Sequence, residues 1–107
     1  MFDCSLSGFI QHPSPVETTS GEFGVFNCTA ITASIQWRIN RTLMIYSEAV
    51  AYSTHVRTGM RILSSTLYVL AAPQLNNSEV QCCAYNETGS EICTNPVSLT
   101  LAGLQGW

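Results

Sequence analysis

The sequence contains no lysine. Its four cations are Arg38, Arg41, Arg57 and Arg61, and charged residues make up 10 % of its 107 positions, against a typical share of about 25 %. The formal net charge is -3. This balance argues against nucleic acid as a partner, because phosphate contacts are made largely by Lys and Arg. No apolar run approaches the roughly 18 residues that a membrane span needs. The opening "MFDCSLSGF" lacks the basic stretch and apolar run of a signal peptide. Met1 is therefore expected to be an expression start and the chain a fragment of a larger extracellular protein, with any anchor or neighbouring domain outside this stretch. Catalytic residues are equally sparse. The sole Asp is Asp3, and the only histidines are His12 and His55. A Ser-His-Asp triad would need Asp3, near the terminus, to support one of two solitary imidazoles. Both histidines read as plain surface residues. With no glycine-rich phosphate loop and no paired carboxylates, neither enzymatic activity nor a cofactor is expected. Missing too is any helical stripe of apolar residues at i, i+3, i+4 and i+7.

Sulfur and sugar acceptors are present in strength. There are five cysteines, and Asn-x-Ser/Thr triplets begin at Asn27, Asn40, Asn76 and Asn86. Together they favour an oxidising, secretory context. N-linked glycans would also keep so charge-poor a surface soluble. The expected location is extracellular, either on a cell surface as the ectodomain of a single-pass membrane protein or secreted. Contact with a membrane is expected only through an anchor outside this stretch.

Apolar residues make up 46 % of the chain, and 107 residues suffice for one domain with a single core. Short alternating segments broken by Gly, Pro, Asn and Ser predict an all-β sandwich or barrel. "EFGVFNCTA" places Gly24, Phe26, Cys28 and Ala30 on one face and Val25, Asn27 and Thr29 on the other. "SIQWRIN" turns Ile35, Trp37 and Ile39 inward and Gln36, Arg38 and Asn40 outward. "RILSSTLYVL" aligns Leu67 and Val69 inward. "EVQCCAY" sets Val80, Cys82 and Ala84 against Gln81, Cys83 and Tyr85. "CTNPVSLTLAG" predicts a final strand in which Pro96 suits an edge or bulge. The two prolines of "HPSPVETTSG" predict a kinked edge strand near the start.

Adjacent Cys82 and Cys83 must point to opposite faces of their strand. Cys82 faces inward, and its natural partner is the inward Cys28. A bridge closing so long a loop would restrict the unfolded chain by roughly 4 kcal/mol. Cys83 faces outward. "NETGS" reads as a hairpin loop built on a type I turn with Gly89 left-handed. That register pairs Asn86 with Ser90, Tyr85 with Glu91, Ala84 with Ile92, and Cys83 with Cys93. The last pair is non-hydrogen-bonded, where side chains come closest, so a Cys83–Cys93 bridge is feasible. A Cys4–Cys93 link is the rival. On the first reading Cys4 is left free or pairs outside this stretch. Zinc held by Cys82, Cys83 and Cys93 with a histidine is the weaker alternative to disulfides, since adjacent cysteines on a strand diverge.

An inward Cys28, an inward Trp37 and an inward Cys82 in this order resemble the immunoglobulin superfamily, and the resemblance covers nearly the whole chain. "GEFGVFNC" is similar to that family's second strand, with Gly21 and Phe26 in place. Trp37 matches its core tryptophan, packed on the bridge between the sheets. "STLYVLAAPQLNNSEVQC" is similar to its E strand, E–F corner and F strand, with Leu67 and Leu75 at core positions, and "PVSLTLAG" to strand G. The resemblance implies a two-sheet Greek-key sandwich, a single domain over 1–107 with its core over about 8–103. The short interval from Trp37 to Cys82 fits the intermediate (I-set) type better than the variable type. Val80 and Asn76 stand where the family carries its corner tyrosine and an acidic residue, so the tyrosine corner and the usual Arg–Asp bridge are expected to be absent.

The outward face of strands C, F and G would then carry Gln36, Arg38, Gln81, Tyr85, Glu91 and Asn95. Met44 and Tyr46 would extend it on the next strand. Tyr and Arg are enriched at interface hot spots. Glycans at all four triplets would shield the other sheet and both ends, leaving the middle of this face bare. The expected role is adhesion or recognition, with a protein partner that is a copy of the chain or another immunoglobulin-like domain; pairing through the C-F-G face is what the resemblance implies. A structural spacer in an extracellular array and an immune receptor binding through its loops are the alternatives.

Overall fold

A computed structural model of the chain describes residues 8–32, 34–43, 50–56, 62–86 and 88–102. Among the described residues ten strands follow one another: β1 (Phe9–Gln11), β2 (Val16–Thr18), β3 (Phe23–Ile31), β4 (Ser34–Ile39), β5 (Thr42–Leu43), β6 (Val50–Val56), β7 (Ile62–Leu70), β8 (Ser78–Tyr85), β9 (Glu91–Cys93) and β10 (Val97–Leu101). They form two sheets. One has the order β1-β3-β7-β6, the other β2-β10-β8-β4-β5 with β9 beside β8. All pairings are antiparallel except β2 with β10, which is parallel. The proline-kinked start therefore divides: β1 joins one sheet and β2 the other, with Pro13 and Pro15 between them.

Alternation decides what each strand buries. Along β3 the inward set Gly24, Phe26, Cys28 and Ala30 is buried, while Phe23, Val25, Asn27 and Ile31 are exposed. Along β4 Ile35, Trp37 and Ile39 are buried. Leu67, Val69, Val80 and Leu99 complete the core from β7, β8 and β10. Leu75, in the 3-10 turn Pro73–Leu75, packs against it half-buried. Gly24 packs closely: an added Cβ would stand 3.0 Å from the Leu99 side chain, which would have to shift.

At the middle of the sandwich the sheets are tied twice at one level. Cys28 and Cys82 form a disulfide between β3 and β8. Across its own sheet Cys28 stands opposite Ser65, and Cys82 stands opposite Trp37. The indole Nε1–H of Trp37 donates to Ser65 Oγ at 2.8 Å, fully buried. A covalent bridge and a hydrogen bond thus close a loop through β3, β8, β4 and β7. The bond also gives the buried indole donor the partner that burial requires.

Two outward-facing residues are nevertheless buried. Thr29 faces outward but is 8 % exposed, because Ser64 of β7 and Gln11 of β1 both reach its hydroxyl. Cys83 faces outward too, yet its exposure is 0 %; its cover is described below. The expected final strand is split. β9 and β10 both pair β8 but are separated by Thr94–Pro96. Thr94 fills the gap: its N–H donates to the Cys82 carbonyl at 2.9 Å, and its Oγ1 accepts the Cys82 N–H at 3.1 Å. Pro96, which has no N–H to offer a ladder, sits in this interruption.

Candidate protein-binding face

The outer face of β4, β8 and β9 is organised by the hairpin that joins β8 to β9. Cys83 pairs with Cys93, Ala84 with Ile92, and Tyr85 with Glu91, and Asn86 N–H donates to Ser90 O at 3.1 Å. This is the register expected from the turn. Gly89 adopts φ 91°, which a side chain would resist. The Asn86 Oδ1 accepts the N–H groups of Thr88 and Ser90 and the Thr88 hydroxyl, so the loop is held by its own side chain. Alternation from the hydrogen-bonded 86–90 pair makes 85–91 and 83–93 the narrow pairs. At one of them Cys83 and Cys93 form a disulfide with Cα atoms 4.0 Å apart. At the other, Tyr85 O–H donates to the Glu91 carboxylate.

Arg38 reaches the same carboxylate from β4, Nε to Oε2 at 3.0 Å. Its Nη2 donates to Tyr85 Oη at 3.4 Å and its Nη1 to the Arg41 carbonyl at 3.1 Å. On β4 Arg38 stands opposite Gln81, and Gln36 opposite Cys83. Arg38 and the Tyr85–Glu91 pair therefore approach from opposite sides of the Cys83 level and meet over it. This polar lid accounts for the burial of an outward cysteine. The lid also shapes the ionisation of its members. The hydrogen bond from Tyr85, assisted by Arg38, holds the Glu91 carboxyl below its ordinary value. The bond to Glu91 pushes the Tyr85 phenol up. Bonds to Tyr85 and Glu91 raise Arg38 further.

The other residues assigned to this face divide. Gln36 and Asn95 are exposed. Gln81 is half-buried and committed, its Nε2 donating to the Thr94 carbonyl at 2.9 Å. Met44 and Tyr46 lie outside the described residues, as does Cys4. Thr94 and Ser65 were not singled out from sequence. Pro96 in an otherwise regular strand was the only hint that something beside it must replace ladder bonds.

The four Asn-x-Ser/Thr asparagines lie away from this face. Asn27 is on the outer surface of β3. Asn40 and Asn76 are at one end, where their Oδ1 atoms accept the N–H groups of Glu79 and Leu101. Asn86 is at the other end. Each amide oxygen is held by the fold; the Asn40 nitrogen also donates to Ser78 Oγ at 3.4 Å.

Cys83, Glu91 and Cys93 bring ligand-type atoms within 4.8 Å of one another. Metal binding by cysteine requires thiolates, and both sulfurs are spent on their disulfide. His12 is exposed beside Phe9, ring centroids 5.5 Å apart. The side chain of His55 and the whole of Asp3 lie outside what is described.

No protein-family model and no curated protein matches the chain. Solved structures do. A tandem pair of titin Ig domains is 26 % identical with a TM-score of 0.69, covering 88 % of this chain and 46 % of that one. The N-terminal Ig1-2 module of the Drosophila receptor protein tyrosine phosphatase DLAR is 21 % identical with a TM-score of 0.70, covering 92 % and 50 %. Dpr2 Ig1-Ig2 in complex with DIP-Theta Ig1-Ig3 is 14 % identical with a TM-score of 0.67, covering 85 % and 32 %. The chain thus spans half or less of these multi-domain chains. Two sheets of four and six strands in this order, a bridge buried beside an indole, and these matches give the chain the fold of an immunoglobulin domain.

Proposed function

We propose that the chain is an adhesion or recognition module of a cell-surface or secreted protein, and that it binds a protein partner through the outer face of β4, β8 and β9. The partner is another immunoglobulin-like domain or a second copy of this one. The mechanism is binding, with no chemistry on a substrate. The observation that carries this reading is the joined Arg38–Tyr85–Glu91 group in the middle of the face. These side chains are already fixed in one arrangement, so docking on them would sacrifice little rotamer freedom. Tyr and Arg are also the residue types that dominate hot spots. A complex between immunoglobulin domains is among the similar structures, that of Dpr2 with DIP-Theta. Glycans at Asn27, Asn40, Asn76 and Asn86 would cover the other sheet and the two ends, leaving this face for protein.

The test is to measure binding of the secreted, glycosylated chain, against itself by sedimentation and against immunoglobulin-type ectodomains by surface capture. Tyr85→Ala and Arg38→Ala should each weaken the complex about tenfold or more, the loss of about 1.4 kcal/mol or more expected at a hot spot. Their melting temperatures should hardly move, because so exposed an ion pair adds little to folding. Unchanged affinity in both variants would refute the assignment of the face. A chain that stays monomeric and binds nothing would favour the spacer reading.

A further inference from the structure

Three apolar side chains left outside the core stand together on the sheet opposite the proposed binding face. Phe23, Val25 and Tyr68 are 50 %, 40 % and 40 % exposed. Val25 and Tyr68 stand directly opposite each other across β3 and β7, and Phe23 follows Val25 on the same face. Exposed apolar groups this close together call for a cover. Two residues beyond Val25 in the other direction stands Asn27, also outward, with Thr66 opposite and Tyr68 on the diagonal. The Thr66 hydroxyl donates to Asn27 Oδ1 at 2.8 Å. That bond fixes the amide plane. Among the described residues nothing accepts from Nδ2, the atom that N-glycosylation modifies.

We propose that the strip Phe23, Val25 and Tyr68 is the platform on which the first N-acetylglucosamine of a glycan at Asn27 lies. The proposal rests on the reading of Asn27 as a glycan acceptor and adds where the sugar goes. Attachment forms a bond from Nδ2 to the sugar C1, the sugar leaving an oligosaccharide pyrophosphate donor as one Nδ2 proton is lost to base. Val25 is about 7 Å along the strand from Asn27, and Tyr68 about 7–8 Å away on the diagonal. A pyranose at the tip of the asparagine can span either interval. One face of that ring is a row of C–H groups. It packs on the Val25 methyls, and its polarised hydrogens suit the negative face of the tyrosine ring. On its other side Asn27 has Thr29, with Ser64 and Gln11 on the Thr29 hydroxyl, and the exposed Ile31 stands two residues farther along β3. Covering the strip also removes an exposed apolar surface suited to unwanted pairing with a second copy.

The experiment compares melting temperatures of Asn27→Gln with the parent in two backgrounds, the natural one and Tyr68→Ser, all made in a glycosylating secretory host. The same set made without N-glycosylation subtracts the lost bond to Thr66. Expected is a glycan-dependent loss of roughly 4 °C in the natural background that disappears with Tyr68→Ser. Glycan-free protein should also bind an apolar dye and self-associate, and Val25→Ser should abolish both. If mass analysis finds Asn27 bare in the secreted protein, the acceptor reading fails and the platform with it. If Asn27 carries its glycan but the loss is equal in both backgrounds, the acceptor reading stands and the platform is overturned. Dimerisation of the fully glycosylated chain that Val25→Ser abolishes would overturn it as well, in favour of a second copy as occupant.

Discussion

Removing the Cys83–Cys93 bridge should cost about as much stability as a single large core defect, and less than removing Cys28–Cys82. The two bridges close loops with sequence separations of 10 and 54. On the chain-entropy account they restrict the unfolded chain by about 2.7 and about 4.2 kcal/mol. The smaller figure is a ceiling. The turn held by the Asn86–Ser90 and Gly89–Asn86 backbone bonds and by the Asn86 side chain lowers it to the extent that it persists in the unfolded chain. Against a domain stability of about 5–15 kcal/mol, Cys83→Ala with Cys93→Ala should still fold. Urea unfolding should show a loss of at most about 2.7 kcal/mol, and the melting temperature should fall by roughly 10 °C. Each single variant should cost nearly as much as the double, because either one opens the loop. Cys28→Ala with Cys82→Ala should cost more than about 4 kcal/mol, since it also strips sulfur from the side of Trp37 in a core with no room to collapse. Additive single losses for Cys83 and Cys93, or a double variant with an unshifted urea midpoint, would refute the reasoning.

Ser65→Ala strands the buried Trp37 N–H; an unpaired buried donor costs about 1–3 kcal/mol, and a variant within a few tenths of the parent in urea unfolding would show that the bond does not tie the sheets. The polar lid should respond to acid. Glu91 titrates below its ordinary 4.5 because Tyr85 and Arg38 favour its charged form. Its contribution is therefore fully present above that value and lost as pH falls through the lower folded one. The melting-temperature gap between the parent and Glu91→Gln, small for so exposed a pair, should close over that acid interval and stay constant from pH 5 to 8; a gap that instead opened toward acid would contradict the lid geometry.

How far the sequence alone reached depended on how local each signal was. Period-two alternation sorted Phe26 from Val25 and Trp37 from Arg38, because neighbouring side chains on a strand must diverge. The β8–β9 register followed from one turn, since Gly89 fixes which residues face each other. Non-local features were not legible. Ser65 meets Trp37 only because the Cys28–Ser65 and Cys82–Trp37 pairs fall at one height in opposite sheets. Cys83 was rightly placed outward, yet its burial depends on Arg38 from another strand reaching Glu91 across it. Thr29 was covered by residues far away in the chain for the same reason. The break at Thr94 was hidden because threonine alternates acceptably in a strand, and only its exchange of bonds with Cys82 shows that it replaces the ladder. Gln81 looked like a free surface amide until that break placed the Thr94 carbonyl within its reach.

The central claim is that the β4, β8 and β9 face, with Tyr85 at its middle, is what a protein partner covers. Tyrosines on opposite sheets supply an internal comparison: Tyr85 lies on that face, and Tyr68 lies on the other, 40 % exposed. Oxidative footprinting of the glycosylated chain, free and in complex, reads both in one digest. The account predicts that Tyr85 becomes protected on complex formation while Tyr68 labels as before; protection of Tyr68 with Tyr85 unchanged would contradict it.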